Sequence, residues 1–206
     1  MTYKTMQEEF WAGPFGSDYS TRNVGPTLLA GNVALFARIL SRTRNVTSII
    51  EFGANIGLNL RALRTLLPSV ALSAVELNGA AVKELEKLPD ITVYEKSLLG
   101  FHAGSACDLT LSKGVLIHID PEQLEAAYET LYRHSRRYIC IAEYYNPTPV
   151  EVPYRGHSNR MFKRDFAGEL LSRYSDVRLI DYGFVYRNDP TFPLDDLTWF
   201  LLEKGQ

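Results

Sequence analysis

One short stretch limits what this chain can fold into more than any other. It is Glu51-Phe52-Gly53-Ala54-Asn55-Ile56-Gly57, which closes an apolar run from Ser48 to Phe52 and opens a segment, Leu58 to Leu67, with apolar residues at helical spacing. Strand, tight glycine turn and helix in that order predict the first unit of a parallel α/β sheet. Glycine tolerates positive φ and lets the backbone come close to a ligand, and the first N–H groups of the following helix point at whatever lies there.

The alternation continues along the chain. Val70 to Val75 reads as a second strand, Ala80 to Leu88 as a helix stopped by Pro89, and Ile91 to Tyr94 as a brief third strand. Asp108 to Ser112 is a fourth strand with Val115 to Ile119 as its exit, and Pro121 opens a helix through about Arg133. Tyr138 to Tyr144 is a fifth strand, Asn146 to Asn159 a proline-rich irregular loop, and Lys163 to Tyr174 the last helix. Val177 to Tyr182 and Thr198 to Glu203 close the series. Seven strands are expected, in a mostly parallel, doubly wound Rossmann-like sheet with helices on both faces and its ligand at the carboxyl ends of the strands. Before the first strand, Pro26 to Arg42 has the spacing of an amphipathic helix, and Phe10 to Asn23 is dense in aromatic residues and glycine, as in an ordered loop or short helices.

At 206 residues the chain fits one domain, 1–206, large enough to bury its own core. A net charge of −2 offers no global positive field, so nucleic acid is not an expected partner. Cys107 and Cys140 stand apart from any Cys/His cluster, so neither a metal nor a disulfide is expected. The opening MTYKTMQEEFWAGPF lacks the basic-then-apolar order of a leader, and no stretch nears the roughly 20 apolar residues of a membrane span. A cytoplasmic protein with no membrane partner is the expectation.

Glu76 ends the second strand, where an acid is placed to accept hydrogen bonds from ribose hydroxyls, so an adenosine-bearing ligand is expected. A nicotinamide dinucleotide is disfavoured, because G-x-G-x-x-G would need glycine where the chain has Asn55 and Leu58. The loop instead resembles the E-x-G-x-G-x-G motif of class I S-adenosylmethionine-dependent methyltransferases, with Asn55 in place of the middle glycine. Cys107 to Ile119 resembles the fourth-strand motif of the same superfamily. Two blocks narrow the likeness further: Glu9 to Gly16 with Tyr19, Arg22 and Asn23, and Glu143 to Pro147 with Tyr154 to His157. With Phe162 to Phe166 and Asp195 to Glu203, they resemble methyltransferases associated with pseudaminic acid biosynthesis.

The resemblance implies S-adenosylmethionine as cofactor, S-adenosylhomocysteine as product, and a cofactor site drawn from Trp11, Tyr19, Arg22, Glu51, Gly53, Asn55, Gly57, Glu76, Leu77, Ser97, Lys113 and Gly114. Residues 1–45 would cover the cofactor, Arg22 gripping its carboxylate, and residues 46–206 would form the core with an acceptor loop at about 145–162. Tyr144, Tyr145, Asn146, Arg155 and Arg160 are the acceptor-binding candidates, and a small, anionic acceptor suits the basic residues between Arg155 and Arg164. A nonulosonic acid sugar of the pseudaminic type, or its nucleotide-linked precursor, would meet that description. A base would serve a hydroxyl or ammonium acceptor, and the candidates in order are His157, His118 and Glu143. A nucleic-acid methyltransferase and a noncatalytic cofactor-binding partner subunit are the alternatives. The residues say nothing of oligomeric state.

Overall fold

The computed structural model describes residues 3–22, 25–102 and 104–205; Asn23, one of the motif residues above, lies outside them. The aromatic N-terminal block forms two short helices, α1 (Met6–Ala12) and α2 (Pro14–Arg22). Thr5 caps α1 by accepting from the Glu8 N–H at 3.1 Å. Helix α3 (Pro26–Leu40) begins with proline in its first turn and buries Gly31, Asn32, Leu35, Phe36 and Ile39 on one face. It stops two residues before the expected Arg42, because Arg42 and Thr43 turn their N–H groups back three residues rather than four, to Ile39 and Leu40.

The α/β alternation then follows as β1 (Ser48–Phe52), α4 (Leu58–Leu66), β2 (Ala71–Glu76), α5 (Gly79–Leu85), β3 (Ile91–Glu95), β4 (Cys107–Lys113), α6 (Leu124–His134) and β5 (Ser135–Glu143). After them come β6 (Val150–Glu151), β7 (Phe162–Lys163), α7 (Phe166–Arg173), β8 (Val177–Val185) and β9 (Leu197–Lys204). The main sheet has seven strands in the order β3-β2-β1-β4-β5-β9-β8. β9 alone runs against its neighbours β5 and β8; the other pairings are parallel. Successive strands step one way from β1 to β3 and the other way from β4, so the carboxyl ends of β1 and β4 form the topological switch point.

Each face of the sheet carries its own core. On one, Ile49 and Trp199 pack with Leu35, Phe36, Ile39, Leu60 and Leu63 from α3 and α4. On the other, Ile50, Phe52 and Ile139 pack with Leu124, Leu131, Phe166 and Leu170 from α6 and α7. Neighbouring residues such as Ile49 and Ile50 serve opposite faces, which is why a doubly covered strand reads as a continuous apolar run.

Three further expectations change. The segment after β5 is not wholly irregular, because β6 and β7 pair antiparallel with Val150 opposite Lys163 and Glu151 opposite Phe162. The last helix starts at Phe166 rather than Lys163, because Phe162 and Lys163 are held in that ladder and Asp165 caps the helix by accepting from Gly168 N–H at 2.8 Å. Likewise Pro121 opens a 3₁₀ turn, Pro121–Gln123, before α6 begins. Among the described residues no helix is long and apolar enough to cross a membrane.

Candidate functional site

The turn after β1 takes three left-handed residues: Gly53 at φ +70°, Asn55 at +48° and Gly57 at +79°. Asparagine is the residue besides glycine that most readily accepts this region, which explains how Asn55 stands where the motif has glycine. A Cβ on Gly53 would come within 2.4 Å of the Val115 side chain, so glycine here lets the exit of β4 close against the turn. A Cβ on Gly57 would meet Leu88 at 2.6 Å and Leu85 at 2.8 Å. Gly57 therefore serves packing beneath the turn and does not line the cleft, contrary to the expectation of a cofactor contact.

Glu76 is held by the backbone around it. Oε2 accepts from Asn55 N–H at 2.7 Å, and Oε1 accepts from Leu77 and Asn78 N–H at 2.8 Å each. Burial pushes its pKa up, and the three N–H bonds work against that shift. A carboxylate has about four acceptor sites, so a place remains on Oε2 for a ligand hydroxyl.

The turn, the end of β2 and the exit of β4 frame a cleft with two lobes. The first is lined by Thr5, Gln7, Glu8, Trp11, Glu76, Leu77, Asn78, Ser97, Leu98 and Val115. The second is lined by Leu28, Asn32, Asn59, Lys113, Tyr144, Tyr154, Arg155 and Asp195. Tyr19, Gly53, Asn55, Gly114 and His118 line both, so the lobes meet there. An aromatic cluster from the N-terminal helices sits beside this junction. Phe10 stacks on Phe15 at 4.2 Å, Trp11 meets His118 at 4.5 Å and Tyr19 at 5.2 Å, and Tyr154 lies 4.9 Å from His118.

His118 is buried, and its Nδ1 lies 2.7 Å from the Arg160 carbonyl. A carbonyl oxygen only accepts, so Nδ1 carries the proton and Nε2 keeps its lone pair. Burial drives the ring's pKa down to about 4, which keeps it neutral near pH 7. In the second lobe, burial lowers the pKa of Lys113 while the charges of Glu51, Asp195 and Glu143 oppose that. Tyr144 hydrogen-bonds Asp195 there, and burial raises its phenol.

Other expected site residues lie outside the cleft lining. Arg22 ends α2 and is exposed. Glu51 is fully buried beneath Asn59, whose Nδ2 donates to its Oε1 at 2.5 Å, so its effect on the cleft passes through Asn59. Glu143 gives its oxygens to Ser112 Oγ at 2.9 Å and to the N–H groups of Val115 at 3.0 Å and Leu116 at 3.1 Å. It shapes the exit loop of β4 rather than serving as a base. His157, first among the expected bases, is exposed on the outer side of the aromatic cluster, 5.0 Å from Phe10 and 5.7 Å from Phe15. Tyr145 is exposed beside Phe200, and Asn146 turns its amide to the Thr148 carbonyl at 2.6 Å. The Arg160 guanidinium lies over Phe10 at 5.0 Å and donates to Asn159 O at 2.8 Å. The order of candidate bases therefore becomes His118 first, since it alone of the three lines the cleft.

Several lining residues escaped sequence reasoning. Asn78 caps α5 through Oδ1, which accepts from Ala80 N–H at 2.9 Å, while its Nδ2 donates to the Trp11 carbonyl at 3.0 Å. Glu8 accepts from Ser97 Oγ. Only the cap of Asn78 left a trace in the sequence, as an asparagine directly before a helix. The rest are contacts between segments far apart in the chain.

Burial also raises Glu51 to about 8 against an ordinary 4.5, a shift that the Asn59 hydrogen bond opposes. The folded protein then holds a proton that the unfolded chain releases above about pH 4.5, so this group's contribution to stability falls as pH rises from 4.5 to about 8. Glu51→Gln should flatten that part of the stability profile, measured as Tm against pH; an unchanged slope would place the effect elsewhere.

Solved structures share this architecture. The plantazolicin methyltransferase BpumL, in complex with S-adenosylhomocysteine and a pentazolic desmethylPZN analog, superposes with TM-score 0.68 at 13% identity over 98% of this chain and 95% of its own. The 1,6-didemethyltoxoflavin-N1-methyltransferase of Burkholderia thailandensis, with S-adenosylhomocysteine bound, gives TM-score 0.67 at 16% identity over 98% and 88%. The magnesium protoporphyrin IX methyltransferase of Synechocystis PCC 6803, with bound S-adenosylmethionine, gives TM-score 0.67 at 12% identity over the whole of both chains. The fold is that of the class I methyltransferases. No protein-family profile and no curated protein matches the sequence itself.

Proposed function

We propose that the chain transfers a methyl group from S-adenosylmethionine to a small, anionic acceptor. The observation that carries this reading is the two-lobed cleft at the switch point, with a backbone-held carboxylate in one lobe and a neutral histidine at the junction. The residues suit the cofactor. Glu76 keeps an acceptor for a ribose hydroxyl, and the buried Trp11 Nε1 and Asn32 Oδ1 have no partner among the described residues, one in each lobe. Glu76, Leu77 and Ser97 would hold the nucleoside, and Gly53, Asn55, Asn59 and Gly114 the amino-acid end. When bound, S-adenosylmethionine supplies an electrophilic methyl group on a sulfonium and leaves as S-adenosylhomocysteine.

The chain's task is then to place the acceptor, exclude water and receive a proton. His118 Nε2 is the base of this reading, because Nδ1 is committed to Arg160 O and the ring lines both lobes. Trp11 and Tyr154 press on the ring and keep solvent from it. The second lobe offers cationic groups in Lys113 and Arg155 and an acceptor in Asp195, a set suited to an acid that also carries hydroxyls. A nonulosonic acid sugar of the pseudaminic type, or its nucleotide-linked precursor, fits that chemistry and the residue blocks that resemble the pseudaminic acid-associated methylases. The similar structures hold a desmethylPZN analog in one case and 1,6-didemethyltoxoflavin in the other, which supports a small-molecule or peptide acceptor.

Calorimetric titration with S-adenosylmethionine, S-adenosylhomocysteine and NAD tests the cofactor, and mass spectrometry of candidate acids for a gain of one methyl tests the acceptor. Binding of NAD alone, or of none of the three, would overturn the reading. Nucleic acid as the best acceptor would overturn the small acid, and cofactor binding without any acceptor would assign a noncatalytic subunit. Arg155→Ala should leave S-adenosylhomocysteine affinity within about twofold while raising the acceptor KM about tenfold, the scale of a lost charge-assisted hydrogen bond. Equal loss of both would contradict this division of the cleft.

A further inference from the structure

Gln7 is buried to 1% exposure on α1 and lines the first lobe, and sequence patterns offered no reason to notice it. Its amide is oriented by one contact. Nε2 donates to the Asn159 carbonyl at 3.3 Å, so Oε1 is the atom left over, and it is buried with no hydrogen-bond donor among the described residues. A buried amide oxygen without a donor is destabilising, so the arrangement calls for a ligand that brings one. Rotating the amide offers no escape, since Oε1 would then face the Asn159 oxygen. Asn159 itself sits in the left-handed region, at φ +55°, in the segment between β6 and β7. The next residue, Arg160, offers the carbonyl that fixes the His118 ring.

We propose that Gln7 is a specificity-determining residue that reads the exocyclic amine of the bound purine through Oε1 and, through Nε2, ties that recognition to the position of the acceptor loop. The proposal rests on the cofactor reading above and adds what that reading leaves open, namely which group selects the base and how its binding reaches the acceptor side. An amino group at the purine 6-position donates to Oε1. A 6-oxo group presents a second acceptor to it, and the Asn159 carbonyl prevents the amide from turning its NH₂ inward. One amide thus links the base to the Asn159–Arg160 carbonyls, and by way of Arg160 to the tautomer of His118.

The test compares S-adenosylhomocysteine with S-inosylhomocysteine, which differs only in carrying oxygen for the amine, by calorimetry on the full chain. The wild type should prefer the adenosyl ligand by about tenfold or more, the size of one unpaired buried group. In Gln7→Leu the preference should fall below about threefold. Hydrogen exchange at residues 157–161 supplies a second readout. Adenosyl ligand should slow exchange there in the wild type, and in Gln7→Leu it should not. If Gln7→Leu does not fold, Gln7→Asn withdraws the amide by one methylene and is expected to lose the preference. A wild-type preference retained in Gln7→Leu or Gln7→Asn overturns the proposal and leaves the cofactor assignment standing; failure of the wild type to bind either nucleoside overturns both.

Discussion

Replacing Glu76 by alanine should weaken S-adenosylhomocysteine binding on the order of 10²-fold to 10³-fold, or about 3–4 kcal/mol, in a calorimetric titration. Two losses add. The ligand loses a charged acceptor in a site where water does not replace it, and the N–H groups of Asn55, Leu77 and Asn78 lose the carboxylate on which they converge. The Asn55 contact matters most, because it pins a left-handed residue in the turn that must stay open for the ligand. Glu76→Gln keeps the shape but puts an NH₂ group toward backbone donors, so a loss of at least about tenfold is expected. Wild-type affinity in Glu76→Ala would sink the assignment of the sugar to this carboxylate.

His118→Asn should lower the methyl-transfer rate about 10²-fold to 10⁴-fold, the usual share of a general base, and leave S-adenosylhomocysteine affinity within about threefold. Asparagine is the informative change because its amide NH₂ can still donate to Arg160 O, where the wild type uses Nδ1 at 2.7 Å. Position is preserved and the Nε2 lone pair is removed. Single-turnover rates with an acceptor found by mass spectrometry read the effect. Stability adds a separate signature: a histidine held down to about 4 in the fold and near 6.5 when unfolded contributes stability above pH 6.5 that is lost as pH falls toward 4. The variant should lack that acid loss. An unaltered rate in His118→Asn would show that positioning alone suffices and that the acceptor arrives already deprotonated.

Much of the frame could be read from residue order. The run Ser48–Phe52, the turn to Gly57 and the helix after it stand where periodicity and glycine chemistry placed them, and Glu76 ends β2 as expected. Errors gathered where long-range pairing outweighs local preference. Lys163 reads as the start of a helix, but it and Phe162 are recruited by Val150 and Glu151 into a ladder that no local pattern announces.

The candidate site divides the same way. Residues whose place follows from a strand end or a turn, such as Gly53, Asn55, Glu76, Lys113 and Gly114, line the cleft, because the register of a buried parallel sheet leaves little choice about where its carboxyl ends open. Residues chosen by type alone were sorted by packing. His157 was turned outward against Phe10 and Phe15, Glu143 was spent on the backbone of the β4 exit, and Arg22 stayed exposed.

Local sterics and hydrophobic spacing therefore decided the architecture and the floor of the cleft, since both act over a few residues and are written in neighbouring letters. Only the folded chain decided which titratable side chains face a ligand. Those outcomes depend on contacts between distant segments, His118 with Arg160, Trp11 with His118 and Gln7 with Asn159, and the burial they create sets protonation and orientation together.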